Sequence, residues 1–169
     1  PQDAIILKEA SGTKDPIDLI NPFRFILPLA PLMAAEEEGR AIEPATIKTV
    51  FETIRASHAA TIVEGAGGLL VPVTRDMTMA DIALLLDIPV IIVAASRLGV
   101  INHTTMTVEC AKARGLVIAG IILNSPSEPA PGDISVAGNA GAIERLTGVR
   151  VLAEIPCNKK LAPSVSGEG

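Results

Sequence analysis

The sequence has no Trp and no Tyr, and its aromatic content is three Phe in 169 residues. The core is therefore aliphatic, built from Ile, Leu, Val and Ala. There is no excess of positive charge either: 14 Lys+Arg stand against 19 Asp+Glu, a net charge of −5. Single-stranded nucleic-acid binders need stacking platforms and a basic groove, so that class is excluded. The missing basic excess also argues against polybasic attachment to a membrane. Long apolar runs are lacking as well. The longest, Ile88–Ala95, contains Pro89 and has the length of a buried strand, far short of the roughly 18–20 residues of a membrane span. No charged stretch leads into an apolar one, so no signal peptide is read. There are two Cys and two His. Cys110 and Cys157 fit no zinc or redox spacing and read as reduced thiols of a cytoplasmic protein. His58 and His103 lie near no Cys or acidic residue at ligand spacing, which argues against a metal held by them.

What is present is globular: nearly half the residues are apolar and 20% are charged. The length predicts one domain over residues 1–169. Thirteen Pro and 14 Gly punctuate alternating elements. Asp3–Ala10 reads as a short helix, and Ser11–Pro16 as its break. Ile20–Leu32, with three Pro, reads as extended and irregular. Met33–Gly39 reads as a helical turn ended by Gly39. In Glu43–Ser57 the residues Ile47, Val50, Phe51 and Ile54 fall at i, i+3, i+4, i+7, one helical stripe. Ala60–Val63 reads as a buried strand and Leu69–Val73 as a further extended piece. Met77–Leu86 is a helix, capped by Asp76 or Thr78. Pro89–Ala95 is apolar on both faces, as a central parallel strand is. Ile101–Arg114 is a helix ended by Gly115, and Val117–Leu123 another buried strand. Asn124–Gly132 is a Pro-rich loop, Asn139–Thr147 a helix and Val149–Ile155 a last strand. The chain closes on the small polar string Ser164–Gly169. Alternation at this spacing predicts an α/β fold, an open and mostly parallel sheet with helices on both faces. Ligands of such sheets bind at the carboxyl ends of the strands, here 64–68, 96–102, 124–129 and 156–160.

Three of these strand ends carry candidate chemistry. In Val63-Glu64-Gly65-Ala66-Gly67-Gly68 a carboxylate ends an apolar strand. The glycines that follow let a backbone approach a ligand and turn N–H groups toward anions. Such a carboxylate suits Mg²⁺ held together with phosphates; the alternative is a solvated Glu at an ordinary turn. Ser96-Arg97-Leu98-Gly99-Val100-Ile101-Asn102-His103 opens a helix. Its free N–H groups, with the Asn102 amide, suit a carboxylate or phosphate; the alternative is a Ser96 cap and a surface Asn102. Leu123-Asn124 ends a strand in an amide that matches the donor and acceptor edge of a purine, or else simply starts a turn.

Taken in order, these stretches resemble the dethiobiotin synthase family of P-loop NTPases. The resemblance also rests on Asp3-Ala4, Asn21-Pro22-Phe23 with Pro28, and Glu38-Gly39-Arg40-Ala41-Ile42. Ala80-Asp81, Leu86-Asp87-Ile88-Pro89-Val90-Ile91 and Glu154-Ile155-Pro156 complete it. It runs nearly end to end, and Glu-Gly-Ala-Gly-Gly with Leu-Gly-x-Ile-Asn-His is its most specific part. The resemblance implies ATP- and Mg²⁺-dependent closure of 7,8-diaminopelargonate and CO₂ to a cyclic urea, through a carbamate and a carbamic–phosphoric anhydride. It implies Glu64 as a Mg²⁺ ligand beside the substrate amines and Asp3 as the second carboxylate on that metal. Gly67 and Gly68 then face the reacting carbamate and phosphate. Asn124 reads adenine, and Pro156 flanks the base. Leu98, Gly99 and Asn102 hold the substrate carboxylate at a homodimer interface.

One departure stands out. The family's phosphate loop, Gly-x-x-x-x-Gly-Lys-Thr/Ser, is absent, since Ser11-Gly12-Thr13-Lys14 has neither its spacing nor a preceding strand. The sequence resembles a member without its first strand, phosphate loop, first helix and second strand, and short of the last helix. The expectation is that this chain alone does not turn over ATP. Two rivals remain. One is a related ATPase of the chromosome-partitioning type or a cobyrinate-amidating synthase. Neither is expected to carry Leu-Gly-x-Ile-Asn-His, and the net negative charge speaks against a DNA partner. The other is a non-catalytic dimerisation or ligand-binding module.

Overall fold

The computed structural model describes residues 2–128 and 136–158. The chain divides into two compact units, Pro1–Asp87 and Ile88–Gly169.

The first unit is helical. It contains α1 (Gln2–Ser11), α2 (Ile17–Ile20), α3 (Pro31–Glu37), α4 (Pro44–Ser57) and α5 (Met79–Leu86). Pro31 and Pro44 each sit in a first turn, where the missing N–H costs nothing. The predicted stripe of α4 turns inward, with Phe51 buried and Ile47, Val50 and Ile54 half-buried. Phe51 joins Ala34, Ala35, Ile42, Val73, Ala80, Ile82 and Leu86 among the buried apolar residues of this unit. Asp87 ends α5 in the left-handed conformation, φ 50°.

Three expectations are corrected here. Residues 60–63 form no strand, and Ile62 is 95% exposed. A strand exists only through a hydrogen-bonded neighbour, and among the described residues this stretch has none. Residues 69–73 form a turn that ends in a single antiparallel bridge between Pro72 and Thr78. The stretch Ile20–Leu32 is irregular over 21–30, but its ends are helical: Ile20 closes a one-turn helix, α2, and Pro31 opens α3.

The second unit is the α/β part: β1 (Val90–Ala95), α6 (Val100–Ala113), β2 (Ile118–Asn124), α7 (Asn139–Thr147) and β3 (Val151–Ile155). The three strands are parallel in the order β1-β2-β3. This is the expected α/β class, an open parallel sheet joined by helical crossovers. Ile121 and Leu123 of β2, Val100 and Val108 of α6 and Ile143 of α7 form its core, with Ile92 and Ala94 packed against them. Each such side chain contributes about 1.5–3 kcal/mol by leaving water. Alternate positions Ile91 and Val93 remain exposed. Across the sheet, the Leu152 side chain lies over Gly120, where any Cβ would collide with it. Lys112 Nζ donates to the Thr147 carbonyl at 2.6 Å and ties α6 to α7. The Glu144 carboxylate accepts the Val151 N–H at 2.8 Å, at the start of β3. The predicted loop residues 129–132 and 159–160, and the string 164–169, lie outside the described residues.

Candidate functional site

In the first unit the glycine turn keeps its expected character although its strand is absent. Glu64 is exposed. Gly67 has φ +79°, a conformation that favours glycine, and a Cβ there would stand 2.9 Å from Val71 Cγ2. At Gly68 the space that a Cβ would enter holds nothing within 4 Å. The turn is closed by Val71 N–H donating to the Gly68 carbonyl at 3.0 Å. Asp3 is exposed in the first turn of α1. Among the described residues no ion pair draws in either carboxylate, and no group of three or more His, Cys, Asp or Glu side chains is poised around a metal. Each by itself is a hard oxygen donor of the kind taken by Mg²⁺, an ion that keeps several waters and phosphate oxygens as ligands. They do not fit a metal that needs a full protein cage.

In the second unit the strand ends converge. Parallel register sets Ala95 beside Asn124 and Asn124 beside Ile155. Ser96 N–H donates to the Asn124 carbonyl at 2.7 Å, and Ser125 N–H to the Ile155 carbonyl at 2.9 Å. Asn124, half-buried, and Pro156, exposed, are thus neighbours on the carboxyl edge of one sheet. The helix start is displaced from one expectation: Gly99, φ +93°, is the N-cap of α6, with no side-chain cap, so Ser96 does not serve. Val100 N–H donates to the Arg97 carbonyl at 3.0 Å, so an anion would meet the next N–H groups of the first turn, those of Ile101 and Asn102. Asn102 sits in that first turn with its side chain exposed, and Leu98 is 84% exposed beside it.

The electrostatics of the first unit centre on Asp15. Its carboxyl lies below the ordinary value of 3.8, through the Thr13 hydroxyl, then His58, with Lys8 adding attraction against a small burial effect. His58 is exposed but engaged, its Nε2 2.7 Å from Asp15 Oδ2. The Glu38 carboxylate accepts the Ile26 N–H at 2.6 Å.

Of the two expected caps, Asp76 or Thr78, it is Thr78 that stands at the N-cap of α5, and its partner Asp81 is a residue that sequence reasoning left without a structural role. Asp81 Oδ2 accepts the Thr78 N–H at 2.7 Å and the Thr78 hydroxyl at 2.6 Å, the reciprocal box that caps α5. Its signal was legible as Thr-x-x-Asp before an apolar run.

A family model described as an AAA domain matches residues 2–165. The ATP-dependent dethiobiotin synthetase of Anaeromyxobacter dehalogenans (strain 2CP-C) is 47% identical over 164 residues, covering 96% of this chain and 72% of that protein. The enzyme of the same name from Bacillus subtilis (strain 168) is 42% identical over 154 residues, covering 91% of this chain and 66% of that protein.

Proposed function

The chain belongs to the dethiobiotin synthetase family of ATP-dependent ligases, and from that membership we propose that it serves the ATP- and Mg²⁺-dependent closure of 7,8-diaminopelargonate with CO₂ to dethiobiotin, in biotin biosynthesis. One amine captures CO₂ as a carbamate. The γ-phosphoryl group of ATP passes to a carbamate oxygen, giving a mixed anhydride and ADP. The second amine attacks the carbonyl carbon, the bond to phosphate breaks, and the cyclic urea closes. Little acid–base machinery is needed; positioning and charge stabilisation carry the chemistry.

The proposed roles are those that the family resemblance implies. Glu64 and Asp3 are the proposed Mg²⁺ ligands, and the bound metal neutralises phosphate charge. Gly67 and Gly68 offer backbone N–H groups to the carbamate and phosphate. The start of α6, through Leu98, Gly99 and Asn102, holds the substrate carboxylate across a homodimer interface. Asn124 reads adenine while Pro156 flanks the base. The chain is placed in the cytoplasm, consistent with two unpaired thiols, Cys110 and Cys157. Residues 1–169 are proposed to act as a single NTPase-like domain.

The observation that carries this reading is the exposed, unengaged Glu64 beside a glycine turn in which Gly67 is left-handed and nothing stands against Gly68 where a Cβ would be. The sequence holds no Gly-x-x-x-x-Gly-Lys run, so the 169-residue chain by itself is proposed to bind the diamine without turning over ATP. Calorimetric titration with 7,8-diaminopelargonate, CO₂ and Mg²⁺ tests this. Saturable binding that Glu64→Ala abolishes is the expected result. No binding of diamine or nucleotide would support a non-catalytic module instead, and ATP turnover by this chain would refute the inactive assignment.

A further inference from the structure

We propose that Asp81, through the helix start it caps, is a positioning residue for Glu64. This rests on the reading of Glu64 as a metal-holding carboxylate. Helix α5 begins with backbone donors that lack intrahelical partners. Two of them are satisfied by the segment leaving the glycine turn: Met79 N–H donates to the Val71 carbonyl at 3.0 Å, and Ala80 N–H to the Leu69 carbonyl at 2.9 Å. Leu69 and Val71 directly follow Gly68, and Val71 N–H returns to the Gly68 carbonyl. The turn is therefore bonded to the start of a helix rather than left as a free loop.

Side chains repeat the connection. Met79 Cγ and Sδ stand 3.5 and 3.6 Å from where a Cβ on Gly65 would be, so Met79 packs beneath the residue next to Glu64. Val71 packs in the same way beneath Gly67. The start of α5 is itself set by Asp81, which holds Thr78 by both its N–H and its hydroxyl. Thr74 supports the approach by accepting the Met77 N–H at 3.1 Å. A chain of named contacts thus runs from Asp81 through Thr78 and Met79 to Gly65 and Glu64. Ala80, 0% exposed, anchors the helix start in the unit's core.

The test uses the 169-residue chain, with amide chemical shifts and a titration with Mg²⁺ alone. Asp81→Ala is expected to move the Gly65, Gly67 and Gly68 resonances and to weaken Mg²⁺ binding about 10-fold or more, the usual effect of losing a partner that orients a ligand. Asp81→Asn keeps an acceptor for Thr78 and is expected to restore most of that affinity, which loss of helix stability alone would not explain. Should Asp81→Ala fail to fold, Met79→Ala leaves the cap intact and is expected to move the Gly65 resonance. Glycine resonances and Mg²⁺ affinity unchanged in either folded variant would overturn the proposal. Absence of any Mg²⁺-dependent shift at Glu64 in the unaltered chain would instead refute the metal reading, while the anchor is still decided by the glycine shifts.

Discussion

His58 Nε2, just past the end of α4, lies 2.7 Å from Asp15 Oδ2, on the segment between α1 and α2. The Thr13 hydroxyl donates to the same Oδ2 at 2.9 Å, and Lys8 Nζ donates to the Asp15 carbonyl at 2.6 Å. Because these partners favour the ionised carboxyl, its folded value falls below the ordinary 3.8. The stability it contributes is then fully present above the ordinary value and is lost as pH falls through the lowered one. Urea midpoints of the unaltered chain and Asp15→Asn should differ at neutral pH and converge in acid. An undiminished difference across that range would show that the carboxylate charge is not the cause.

Gly120 and Leu152 make a second prediction. With Leu152 lying over Gly120, the substitution Gly120→Ala forces the leucine or the strand to move, a cost of about 1–3 kcal/mol. Adding Leu152→Ala removes the obstacle, so the double variant should lose less than the two single losses summed. Strict additivity in denaturant unfolding would mean that the two side-chain positions do not oppose each other.

The start of α6 gives a third. If Asn102 donates to the substrate carboxylate, Asn102→Ala removes a charge-assisted hydrogen bond worth about 1.5–3 kcal/mol. Diamine binding should weaken by about 10-fold or more. A diamine of similar length without the carboxylate should bind both proteins alike. Equal losses for both ligands would place Asn102 elsewhere in recognition.

What was legible in the sequence was what is decided locally or by composition. Val90–Ala95 and Ile118–Asn124 are apolar on both faces and are β1 and β2. Ile47, Val50, Phe51 and Ile54 disclosed α4, and Gly148, left-handed at φ 68°, ends α7 as a helix-terminating glycine does. The run at 60–63 misled because apolar β-branched residues describe a strand's preference, whereas its existence depends on a distant partner. α2 is four residues long, too short to carry a period. The candidate site followed the same division. Glu64, its glycines, Asn124 and Asn102 were visible as residue types at strand and helix ends. The adjacency of Asn124 to Pro156 came only with the β2–β3 register, and the link from Asp81 to the glycine turn only with the path of residues 69–79.

Among the described residues, strand β1 pairs with β2 alone and lies at the edge of its three-stranded sheet. Val90 N–H donates to the Val117 carbonyl at 2.8 Å, and Ser96 N–H to the Asn124 carbonyl at 2.7 Å. In a parallel ladder every second residue faces its neighbour, so the amides of even-numbered residues point into the sheet and those of Ile91, Val93 and Ala95 point out of it. In deuterium exchange this one strand should therefore behave as two interleaved populations. Protons that last as long as the sheet does alternate with protons that leave almost as fast as from an unstructured peptide, along a segment whose apolar composition suggests uniform protection.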